Sequence, residues 1–203
     1  MRVDKVILRA IFSTLASIAV LVGFMIGMLA AVFPSTMMEL SYNFGQDESS
    51  IRYAERAYDW FDDTYYMAYA MEVAIGSDNS EKIEQCGLTL VQDEKYFAQY
   101  CEEKNAVRPE IVDSTYDHFV YGKISVAKYQ QGKKEEAVNY AFDTLKGGFP
   151  RDNAAVAVLY TALSVNDQAT VDMIKGKMEQ QQAAGIAETD KAYFDEILAL
   201  ANE

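Results

Sequence analysis

From Ala10 to Phe33 the chain carries no charged side chain, and Pro34 follows directly. At ~1.5 Å per residue these 24 positions reach ~36 Å as a helix, enough to cross a hydrocarbon layer of ~30 Å with some tilt. Ser13, Thr14 and Ser17 are the polar side chains in the run, and each can return a hydrogen bond to its own helix. A cleavable leader has an apolar core of only ~7–15 residues, so the run reads as a retained transmembrane anchor over 10–33. Beyond it the apolar positions recur three and four apart, broken by short polar turns, without the alternation of strands. The pattern predicts a juxtamembrane connector over 34–48, with Met37, Met38, Leu40, Tyr42 and Phe44 at headgroup level. Helices are then predicted over 49–61, 63–75, 80–91 and 94–104. Another begins at Pro109, suited to a first helical turn, and runs to 131, where Gly132 stops it. The next covers 133–146 and ends at Gly147-Gly148-Phe149-Pro150. Residues 153–165 are apolar almost all round and predict a central buried helix too short to be a second span. Two amphipathic helices, 168–182 and 189–202, close the chain, the last burying Tyr193, Phe194, Ile197 and Leu198. The expected fold is therefore all-α: one anchor and an outer helical domain over 49–203.

Charge sets the orientation. Arg2, Lys5 and Arg9 precede the apolar run; Glu39, Asp47 and Glu48 follow it. Positive charge stays cytoplasmic, so residues 1–9 are expected inside and the domain outside. The net charge of −13 is concentrated in that outer domain. Such a surface repels nucleic acid, whose binding depends on neutralising phosphates with Lys and Arg. The outer domain has no N-x-S/T sequon, which favours a bacterial envelope over a eukaryotic secretory route. Within the span, Ala19, Gly23, Gly27 and Ala31 recur every fourth residue. This small-residue stripe would let a second helix approach closely, either another copy or a different membrane protein.

The turns at Gly132 and Asn166-Asp167 lie one 34-residue period apart, as do Ala137 and Val171. The stretch YGKISVAKYQQGKKEEAVNYAFDTLKGGFP, 121–150, resembles the tetratricopeptide family. Tyr121 stands at the motif's aromatic, Ile124 at its Leu, Ser125 at a small residue, Gly132 at the turn and Ala137 at the packed small position. Pro150 lies one place from the closing Pro, while Lys128 and Ala141 depart from aromatic sites. The resemblance extends weakly to 184. It implies stacked α-hairpins whose first helices line a concave groove for peptide segments. By position that groove would comprise Phe119, Gly122, Val126 and Tyr129, then Tyr160; Val156 and Leu163 would share the face but suit the core. In layout the chain is similar to bitopic tetratricopeptide proteins that accompany bacterial secretion or envelope-assembly machinery.

Candidate chemistry is thin. His118 is the single histidine, and the sequence has no nucleophile elbow, zinc-protease helix, phosphate loop or dinucleotide fingerprint. No metal, cofactor or catalytic residue is expected. Asp59, Asp62 and Asp63 around Trp60 and Phe61 resemble the acids and stacking rings of glycan sites, but Asp at a helix boundary also caps. Tyr53, Tyr58, Phe61 and Tyr65 share one side at helical spacing, the look of core packing. Cys86 and Cys101 fit either a bridge between neighbouring helices or two buried thiols. The expected function is a membrane-anchored scaffold that binds a protein or peptide, with an envelope glycan hydrolase at Asp59–Asp63 as the alternative.

Overall fold

A computed structural model describes residues 3–107, 115–186 and 191–202. All regular structure among them is helical. The chain divides into two compact units, Met1–Asp62 and Asp63–Glu203.

The first unit holds α1 (Val3–Val32), α2 (Pro34–Asn43) and α3 (Asp47–Phe61). From Ile7 to Val32, α1 is long and apolar enough to cross a membrane, and it buries nothing within the protein. Thr14 and Ser17 donate their hydroxyls to the carbonyls of Ala10 (3.0 Å) and Ser13 (2.9 Å), so the polar groups of the span are satisfied locally. Residues 34–43 are a helix and not a connector. Pro34 takes the first helical position, where its missing N–H costs nothing, and the helix has a partner to bury against. It packs antiparallel on α3 through a tight turn at Gly45, which sits at φ 68°. Met37 and Met38 are therefore buried with Ile51, Ala54 and Ala57, not set at headgroup level, and the Ser50 hydroxyl donates to the Met38 carbonyl at 2.9 Å. Phe61 is exposed, which removes it from the expected core.

The second unit contains α4 (Tyr65–Gly76), α5 (Ser80–Gln92), α6 (Glu94–Ala106), α7 (Tyr116–Gln130), α8 (Lys134–Asp143), α9 (Ala154–Ser164), α10 (Gln168–Ala184) and α11 (Lys191–Leu200). Local chemistry explains their starts. Asn79, Asp93 and Asn153 each accept a hydrogen bond from the first turn of the helix that follows, satisfying amides with no helical partner. Pro109 lies outside the described residues. α7 starts at Tyr116, after an extended Thr115, and the Asn105 side chain of α6 accepts the Tyr116 N–H at 2.8 Å. Tyr65 is exposed rather than core, and Tyr193 and Leu198 are only half-buried.

One turn recurs. At Gly45, Asp78, Gly132 and Asn166 the backbone is left-handed, with φ between 53° and 81°. At each, the following N–H reaches back five residues at 2.9–3.0 Å, closing the helix with a Schellman-type bond before the next begins. The turns join α2 to α3, α4 to α5, α7 to α8 and α9 to α10. α7 packs against α5, α8 and α9, and α10 packs on α8 and α9. The apolar α9 is central, burying Ala154, Ala155, Val156, Val158, Leu159 and Ala162.

Close approach between α5 and α7 requires Gly87. A methyl group there would meet Ile124 Cγ1 at 2.6 Å and Cδ1 at 2.9 Å, and Ile124 is fully buried. Overpacking of about 1–3 kcal/mol exceeds the roughly 1 kcal/mol that alanine gains in helix propensity. Gly87→Ala is therefore expected to destabilise the protein by about 1 kcal/mol; a denaturant midpoint at or above wild type would contradict the packing.

Candidate binding clefts

Two grooves flank α7. The larger, of about 790 Å³, opens among α6, the start of α7 and the end of α8. α6 is held in place at both ends. Asp93 accepts the Tyr96 amide (3.1 Å) and the Thr64 hydroxyl (2.8 Å), which together hold its carboxyl below the usual range. At the far end Glu72 of α4 accepts the Tyr100 hydroxyl at 2.6 Å and pairs with Lys104, whose ammonium also lies over the Tyr100 and Tyr116 rings. Burial, and then the Glu72 carboxylate, raise the Tyr100 phenol, so it stays a donor.

The floor of this cleft is aromatic and apolar. Tyr121 meets Phe97 at 5.5 Å and Tyr140 at 6.4 Å between ring centroids. Val91, Ala98 and Cys101 complete it. The rim carries Glu94, Glu102, Asp117 and Asp143 against Lys146, a local acidic excess. The hydroxyl of Tyr140 is buried and makes no hydrogen bond within the described residues. His118, which lines the smaller groove, also has a buried Nδ1 without a partner among them.

The smaller groove, about 330 Å³, lies between α7 and α9. It brings together Phe119, Gly122 and Val126 of the expected peptide face, with Lys123 over the Phe119 ring at 5.4 Å and Ala157 and Thr161 opposite. Tyr129 is elsewhere. Its hydroxyl donates to Asp167 at 2.8 Å, and Asp167 also accepts Thr170 (2.7 Å) and Lys134 (2.7 Å), tying α7, α8 and α10 together. Those bonds, Lys134 foremost, hold the Asp167 carboxyl well below the usual range. Tyr160 is 55% exposed and lines neither groove, whereas Val156 is buried. The larger cleft escaped the sequence because its walls come from helices that meet only in three dimensions.

The remaining candidates resolve into structural parts. Asp62 ends α3 in the left-handed conformation, and Asp63 accepts the Tyr65 N–H at 3.0 Å at the start of α4. Gly23 and Gly27 face open space within the unit. Cys101 is unbridged, so it makes no disulfide with Cys86, and both side chains are buried. Burial, reinforced by Asp117, pushes the Cys101 thiol up to about 12. A thiolate population some 10³-fold below that of an ordinary cysteine at pH 8 makes it a poor nucleophile. Protein purified without reductant should thus show almost no rapid thiol reaction when folded and two reactive thiols in denaturant. Absence of thiol in denaturant would mean the bridge exists. Among the described residues no three His, Cys, Asp or Glu side chains gather as a metal set would.

Comparison with protein-family models, curated proteins and solved structures finds no match to this chain. The functional reading therefore rests on the clefts themselves.

Proposed function

We propose that the chain is a single-pass membrane protein whose helical body stands outside the cytoplasmic membrane as a scaffold. In this reading it holds a partner protein by a basic, apolar segment laid in the cleft between α6, α7 and α8. The observation that carries it is the pairing of an aromatic floor with an acidic rim in one large, open groove. Rigid aromatic rings offer contact area at little entropic cost, and the carboxylates would steer and register a cationic segment. The recurrent left-handed turns and the 34-residue spacing favour a tetratricopeptide-like stack of hairpins, an architecture that presents pre-ordered grooves. Arg2, Lys5 and Arg9 before the span favour a cytoplasmic N-terminus. Cys101, buried and raised, is no nucleophile, so the cleft suits binding better than chemistry. A role as accessory subunit of a bacterial secretion or envelope-assembly complex fits this layout.

The test is a photo-reactive side chain placed at Ala98, in the cleft, of the full-length protein in its native host. An adduct with a second protein is expected, and Glu102→Lys with Asp143→Lys should abolish it without altering the folded state, since both positions are exposed. Equal adducts from the control position Gln180 on α10, or adducts with this chain alone, would count against the proposal.

A further inference from the structure

The hairpin of α2 and α3 has arms of unequal length, 10 and 15 residues. Its register is set by the hydrogen bond from Ser50 to the Met38 carbonyl. From that crosslink, Trp60 lies about 15 Å further along α3, while Pro34, the start of α2, lies only about 6 Å back along the other arm, at ~1.5 Å per residue. The end of α3 therefore reaches about 9 Å past the start of α2, at the open end of the hairpin. α1 closes with the Phe33 N–H on Leu29 O at 2.8 Å, α2 opens with the Met37 N–H on Phe33 O at 3.2 Å, and Phe33 between them is non-helical at φ −130° and ψ 66°. α2 therefore starts directly after α1 ends, and α3 returns along α2 to the end of the hairpin that adjoins the span.

Three large rings are exposed at that end of the hairpin: Phe33 at 53%, Trp60 at 52% and Phe61 at 53%. Tryptophan and phenylalanine beside the end of a membrane span suit the interfacial layer, which accepts an apolar ring and still hydrates its polar edge. The Arg56 guanidinium lies 5.6 Å above the Trp60 ring, a cation able to reach lipid phosphates from the same spot. Asp59 and Asp62 flank the rings and limit their depth, since an ionised carboxylate is not carried into hydrocarbon. We infer that Trp60, with Phe33 and Phe61, is seated in the headgroup layer of the membrane that α1 crosses, so that the α2–α3 hairpin is pinned to the bilayer at its open end. The inference rests on the reading of α1 as a span. Phe44, 74% exposed, is at the opposite, turn end and is predicted to stay in water.

Trp60 is the chain's single tryptophan, so its fluorescence reports this site alone. The full-length protein in phosphatidylcholine vesicles should show Trp60 emission shifted to the blue, protected from aqueous iodide and mostly lost to lipids brominated just below the carbonyls. In a Trp60→Phe background, Phe44→Trp should be quenched by iodide and untouched by brominated lipid. Phe24→Trp in that background should be quenched by lipid brominated near the chain ends. Full iodide access to Trp60 with no lipid quenching, while Trp at position 24 is quenched, overturns the headgroup seat and leaves the span intact. Loss of lipid quenching at positions 24 and 60 alike overturns the span reading and the inference with it.

Discussion

Phe194→Ala is expected to destabilise the second unit by about 3–5 kcal/mol, the usual cost of emptying a buried aromatic site. Phe194 is 1% exposed and meets Phe149 edge-to-face at 5.0 Å between centroids; Phe149 is also 1% exposed. Only Phe194 and Ile197 bury α11 fully. Removing the ring therefore deletes most of what docks the C-terminal helix, in addition to leaving a cavity. A fall in urea midpoint, with faster amide exchange in 191–200, checks this. A midpoint within about 0.5 kcal/mol of wild type would mean that α11 contributes nothing to the fold.

The second large effect concerns charge. Glu84 of α5 is nearly buried and receives Lys128 at 2.7 Å, Lys133 at 2.6 Å and the Gln131 amide at 2.8 Å. Lys128 is itself buried, and its other carboxylate, Glu136, is 3.6 Å away and exposed. Glu84→Ala leaves that ammonium without its close partner and is expected to cost about 3 kcal/mol. Lys128→Met should cost only about 1 kcal/mol, because Glu84 keeps Lys133 and Gln131. Equal losses from the two variants would contradict this asymmetry.

The same cluster predicts acid sensitivity. Burial of Glu84 opposes its charge, but the hydrogen bonds from Lys128 and Lys133 outweigh it, so the folded carboxyl titrates below the ordinary value. Asp167 moves in the same direction. A carboxyl depressed on folding stabilises above its unfolded pKa, about 4, and that stabilisation is lost as pH falls through the folded value. Unfolding free energy should therefore drop below about pH 4, and Glu84→Gln should flatten the drop. A stability profile unchanged by that substitution would remove Glu84 from the account.

Helix periodicity was the most legible property of the chain. Between 49 and 104, and again from 133 onward, apolar spacing places the helices within a few residues of their bounds, because short turns and amphipathic faces leave a local signature. Pro34 suggested a connector, yet a proline at N1 opens a helix when the following face finds a partner, and Met37 and Met38 find α3. α7 starts at Tyr116, after an extended Thr115, where the Asn105 side chain accepts its first amide. Phe119, Gly122 and Val126 come together because they share one face of a single helix. The larger cleft could not be anticipated, since Cys101 of α6, Tyr121 of α7 and Tyr140 of α8 line it from three separate helices. Lys128, a departure from the tetratricopeptide pattern, has its physical reason in Glu84, 44 residues earlier.

The proposed scaffold requires one crossing with the acidic helical body on the outer side, and the headgroup seat requires the crossing itself. Protease added to sealed cells reads this directly. The account predicts that the C-terminal body is degraded while a short N-terminal fragment containing α1 stays protected in the membrane. A full-length chain untouched until the cells are lysed, or a mature product that begins after Ala31, would contradict it.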